Sequence, residues 1–206
     1  MPGTNPLTRL LLTVVMALVL CACTGPTQVI STDLTRVSGV YLIAYVDRED
    51  IRVRLEDAFV MELTERGMRA VPSHPDLPDI KRASVRDMVR AANAREVAAI
   101  VVVNRVAADG SGGIIESEQR ILPEDLTAYH ANVQGEADDY GEAEPIFAEA
   151  NGFLVDGNKT RRFWTGTTWT LTADDEAAVI DDVASTIADE LDRVRREMRD
   201  YSRPIQ

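Results

Sequence analysis

The chain is 206 residues long and carries 34 acidic against 22 basic side chains, a formal net charge of −12, with two cysteines in all. A surface that acidic repels phosphate backbones and argues against a nucleic-acid partner. Both cysteines, Cys21 and Cys23, stand near the start, so the rest of the chain excludes a disulfide framework, a cysteine-based zinc site and a cysteine nucleophile.

The lone cation Arg9 precedes an apolar run over residues 10–20 that only Thr13 interrupts. The run is well short of the roughly 18 apolar residues a membrane-spanning helix needs, and it suits the core of a cleaved secretory signal. Leu20-Cys21-Ala22-Cys23 follows and resembles the lipobox of bacterial lipoproteins: an aliphatic residue, a small residue, then the cysteine that is acylated. Cys23 fits better than Cys21, because Ala22 is small at the position before cleavage and Leu20 is not. The resemblance implies a signal peptide over residues 1–22 and a lipid anchor on Cys23. Thr24, not Asp, comes next, which in the sorting rule of such lipoproteins implies the outer membrane, with the domain facing the periplasm. Each buried methylene contributes about 0.8 kcal/mol, so more than one acyl chain holds a domain stably.

Residues 24–38 are polar without a clear period and read as a tether, reaching at most ~50 Å when extended. From Gly39 the pattern changes, and the apolar, β-branched and aromatic run over residues 40–46 reads as a central strand covered on both faces. Asp47 can cap the next segment, where Ile51, Leu55, Ala58, Phe59 and Leu63 mark an amphipathic helix that ends at Gly67. A short strand around Arg69-Ala70-Val71 stops at Pro72, and residues 72–79, with three prolines, form a loop. Ser84 and Asp87 make a capping-box start for a second helix, buried along Val85, Met88, Val89 and Ala92. Residues 98–103 are a second buried strand.

Residues 107–144 then carry ten acidic side chains against Arg120 alone, and read as an insertion. Two strand-like runs follow, at about 146–155 and 162–171, joined by the hairpin chemistry of Asp156-Gly157-Asn158-Lys159. The last helix begins at a capping box of Thr172 and Asp175 and has one apolar stripe: Ile180, Val183, Ala184, Ile187, Leu191, Val194 and Met198. Acidic residues open it and arginines close it, matching the helix dipole. The expectation is an α/β (α+β) fold with a mixed sheet of about five strands, in the order β-α-β-α-β, acidic insertion, β-β-α. It forms one domain over residues 39–203.

This order of elements resembles the α/β domain shared by the N-terminal part of the Tol-Pal component TolB and the curli-secretion lipoprotein CsgG. It is also similar to envelope lipoproteins in which a helix like Arg54-Leu55-Glu56-Asp57-Ala58-Phe59 leads into Leu63-Thr64-Glu65-Arg66-Gly67-Met68-Arg69-Ala70-Val71-Pro72-Ser73. In those proteins a strand like Phe163-Trp164-Thr165-Gly166-Thr167 precedes the final helix. The resemblance covers residues 39–199 apart from the acidic insertion, and it implies a fold and an address, not a reaction.

Catalytic chemistry is not legible. The two histidines, His74 and His130, fall in regions that read as loop and insertion, and no Gly-x-Ser-x-Gly elbow is present. Asp109-Gly110-Ser111-Gly112-Gly113 lacks the Lys and helix start of a phosphate loop. Asp138, Asp139, Glu142 and Glu144 offer oxygens to a hard cation but lack calcium-loop spacing, so they read as a solvated insertion. Regular alternation places Trp164 and Trp169 on opposite faces of one strand. Either both are core residues or, if exposed, they form with Phe163 a contact for a protein partner. The reading is a non-enzymatic, lipid-anchored module that needs no cofactor or metal and binds the membrane and an envelope protein. Its alternatives are a subunit of an oligomeric secretion assembly, or a cell-envelope hydrolase.

Overall fold

The computed structural model describes residues 28–29, 37, 39–46, 48–107, 124–136, 146–169 and 176–201. The elements in chain order are β1 (Gln28–Val29), β2 (Val40–Tyr45), α1 (Glu49–Glu65), β3 (Ala70–Pro72), α2 (Val85–Ala94), β4 (Ala99–Ala107), α3 (Leu126–Glu136), β5 (Ile146–Asp156), β6 (Lys159–Trp169) and α4 (Glu176–Tyr201). One mixed sheet runs β1-β6-β5-β4-β2-β3. β2 lies parallel to β3 and β4, while β4–β5, β5–β6 and β1–β6 are antiparallel. The expected mixed α/β fold is therefore present.

Burial follows directly from strand composition. β2 and β4 are apolar on both faces, and both faces are covered. On one face Val40, Leu42, Ala44, Val101 and Val103 pack with Leu55, Phe59 and Leu63 of α1 and with Ile180, Ile187 and Leu191 of α4. On the other, Tyr41, Ile43, Ile100 and Val102 pack with Met88, Val89 and Ala92 of α2 and with Leu126 and Tyr129 of α3. β3 and β4 flank β2, so the successive crossovers α1 and α2 fall on opposite faces, as right-handed connections require. That arrangement puts a topological switch point at the C-terminal ends of β2 and β4, the usual position for a site in such sheets.

Several local expectations hold and others change. Ser84 Oγ accepts from the Asp87 N–H and the Asp87 carboxylate accepts from the Ser84 N–H, which is the expected capping box. Gly67 and Gly157 adopt positive φ of 69° and 59°, at the end of α1 and in the β5–β6 turn, where a side chain is strained. Arg48, without a side-chain cap, occupies the N-cap of α1, and Asp47, Thr172 and Asp175 lie outside the described residues. The stretch read as a tether contains β1, whose Gln28 and Val29 pair with Thr165 and Trp164. The acidic segment contains α3, because Leu126 and Tyr129 give it an apolar side to bury.

A bulge in β6 changes the facing of its aromatics. Gly152 pairs with Trp164 and Phe153 with Arg162, so Phe163 is the extra residue and regular alternation is broken. Phe163 and Trp164 therefore both enter the core with α1 and α4. Gly152 makes room for this: a Cβ there would lie 2.6 Å from Phe163 Cζ, and one at Gly166 would lie closer still to the Trp164 ring.

Candidate functional site

The end of the sheet at this switch point carries a polar row. Tyr45, Asn104, Glu149 and Thr167 are direct cross-strand partners on β2, β4, β5 and β6. One step in, Thr165 Oγ1 donates to Asn151 Oδ1 at 2.6 Å, and Asn151 Nδ2 donates to Glu149 Oε1 at 2.6 Å. Such a chain of bonds fixes every member's orientation.

α3 lies over this face. Its Tyr129 ring meets Phe153 at 5.6 Å between centroids, and its His130 ring meets Tyr45 at 5.7 Å. The Tyr45 hydroxyl is hydrogen-bonded to His130 Nδ1, and Met88 Sδ lies 3.7 Å from the same hydroxyl. Burial pushes the Tyr45 phenol well above its ordinary range and pushes the His130 imidazole down. Both groups are therefore neutral near pH 7. Backbone contacts complete the seating of α3: Leu126 N–H donates to Thr160 Oγ1 at 3.0 Å, and Arg162 N–H donates to Glu124 O at 2.8 Å.

Arg162 is 8% exposed, and its Nε and Nη1 have no hydrogen-bond partner among the described residues. Burial lowers its affinity for the proton, opposed by the Glu149 and Glu124 carboxylates. Among the described residues these two nitrogens have only the field of those carboxylates to offset their desolvation, which is weaker support than a bidentate pair gives.

A second network, between α1, β2 and the loop after β3, is closed. Glu56 accepts from the Ala44, Ser73 and His74 N–H groups, from Ser73 Oγ and from Arg52 Nε. Arg52 also donates to Ser73 Oγ, Leu77 O and Pro78 O. Ser73 Oγ is thus engaged by an acceptor and a donor, while His74 Nε2 faces Asp57 Oδ1 at 3.1 Å. Ser73 and His74 do not form a nucleophile and base, since a base must reach the hydroxyl it activates.

The residues singled out by sequence fall out differently. Phe163 and Trp164 are 1% and 0% exposed, so the partner-contact assignment fails for them: the bulge turns both inward. The side chain of Trp169 lies outside the described residues, as do Cys23, the 109–113 loop and Asp138, Asp139, Glu142 and Glu144. His130, expected in a loop, is on α3 and partly buried, and His74 is also partly buried. Tyr45, Arg162 and the Arg52–Glu56 pair were not anticipated. The i,i+4 spacing of Arg52 and Glu56 beside the apolar stripe was their one available signal. Among the described residues no group of three or more His, Cys, Asp or Glu could hold a metal ion, and no helix is long and apolar enough to cross a membrane.

No family model and no curated protein matches the chain. Among solved structures it is similar to the PelC dodecamer from Paraburkholderia phytofirmans, with 11% identity and a TM-score of 0.41 over 81% of this chain and 96% of that one. A single-site variant of the same dodecamer in another crystal form gives 12% identity and a TM-score of 0.40, over 79% of this chain and 96% of that one. Likenesses this distant carry no weight for function.

Proposed function

We propose that the chain is a lipid-anchored lipoprotein of the outer membrane whose periplasmic α/β domain is a non-enzymatic module binding another envelope protein. The observation that carries this reading is the apolar run of residues 10–20 followed by Leu20-Cys21-Ala22-Cys23, with Thr24 as the sorting residue. The side-chain networks are in keeping with it: Ser73 is locked between Glu56 and Arg52, and His130 serves to seat α3 on Tyr45.

Mass spectrometry of the membrane fraction tests the anchor. An acyl mass on Cys23 that is absent from Cys23→Ala is expected, and unmodified soluble wild type would sink the reading. Cross-linking of the anchored protein in intact envelopes tests the binding role. Recovery of no partner above a control lipoprotein would remove it.

A further inference from the structure

We propose that β1 is a strap that shortens the leash between lipid and domain and so keeps the β6 edge of the sheet at the membrane surface. The proposal rests on the anchored reading above and on one structural fact, the pairing of Gln28 with Thr165 and of Val29 with Trp164. From Cys23 to Gln28 the chain spans at most about 18 Å. Without the pairing, the next described residue held on the core is Val37, and the reach grows to about 48 Å. β1 therefore shortens the leash about threefold.

The connection onward is feasible. β1 and β2 are separated by β6, β5 and β4, about 19 Å at ordinary strand spacing. The chain between Val29 and Val40 reaches about 38 Å, so it connects the two strands with slack. The pairing is also suited to release, since two residues form the shortest strand in the sheet, at an edge where only one neighbour holds it. With β1 paired, the β6 edge stays near the lipid and the β3 edge is farthest from β1 across the sheet. With β1 released, the whole domain gains reach toward partners farther from the membrane.

Acylated protein in phosphatidylethanolamine–phosphatidylglycerol vesicles tests this, using Arg161→Cys on exposed β6 as the labelled thiol and an acceptor dye in the headgroups. Three proteins are compared: this labelled parent, the parent carrying Gln28→Pro and Val29→Pro, and the parent lengthened by about ten glycine and serine residues between Thr24 and Gln28. The prolines remove both β1 donors, whereas the insertion lengthens the leash and leaves β1 intact. Energy transfer is expected to fall by about twofold or more in both variants, following the longer reach. Amide exchange at the β6 amide that donates toward β1, one of the adjacent pair Trp164 and Thr165, is expected to rise in the proline variant alone. Transfer unchanged by the prolines, or already as low in the parent as in the lengthened protein, would overturn the strap. Absence of an acyl mass on Cys23 removes the anchored reading and the leash with it. Acylated protein with unchanged transfer removes the strap alone.

Discussion

Glu56 is 1% exposed and accepts five hydrogen bonds, tying β2 and the loop after β3 to α1. Its partner Arg52 is equally enclosed. Removing one half of a buried, hydrogen-bonded pair leaves the other charge without compensation, which costs about 3–5 kcal/mol. Glu56→Ala is therefore expected to lower the unfolding free energy from urea titration by that order, and a loss under about 1 kcal/mol would mean that Arg52 finds water or another acceptor. The glycines under the aromatics make a second case. A Cβ at Gly152 meets Phe163 Cζ at 2.6 Å, so Gly152→Ala forces the ring or the bulge to move. A loss of about 1–3 kcal/mol is expected, read as a lower thermal midpoint.

At the level of elements, the docking of α3 depends on a titratable side chain in contact with the sheet, His130 on Tyr45. Burial holds the His130 imidazole below its ordinary pKa of 6.5. The unfolded chain therefore takes up this proton first. The associated stability is present above pH ~6.5 and is lost as the pH falls below it, until the folded pKa is reached. Arg95 holds the Asp76 carboxyl below its usual range through a bidentate contact at 2.6 and 2.9 Å, and the stability this lends is lost only near pH 4 and lower. The two windows are separate. His130→Gln is expected to flatten the urea midpoint between pH 7 and 5.5 while leaving the acid limb intact. A slope that survives the substitution would assign the dependence to another group. For α2, Ser84→Ala removes the side-chain half of the capping box, with an expected loss of about 1 kcal/mol in the same assay.

For the whole molecule, the exposed side of β6 matters most, because an unpaired edge is a template for another chain. Among the described residues two short segments cover it: β1 opposite Trp164 and Thr165, and Glu124, whose carbonyl accepts from Arg162 N–H. Loss of β1 through Gln28→Pro with Val29→Pro is expected to give concentration-dependent association by light scattering. A protein that stays monodisperse would mean that the Glu124 segment suffices.

The central strands, the α2 capping box, the β5–β6 turn and the stripe of α4 were legible in the sequence, because each is set by local patterning or by turn and cap chemistry that needs no distant partner. Cys23 was singled out on the same local basis, from the residues immediately before it. Tertiary structure alone decided the rest. Whether a strand residue faces in or out depends on register, and the bulge at Phe163 puts two successive aromatics, Phe163 and Trp164, on one face and buries both. β1 carries no periodicity in two residues and exists only because β6 offers an edge. α3 is weakly amphipathic amid acidic residues and is fixed by Leu126, Tyr129 and His130 meeting a sheet built from segments far away in the chain. Arg162, likewise, reads as a surface charge until α3 and the neighbouring strands close over it.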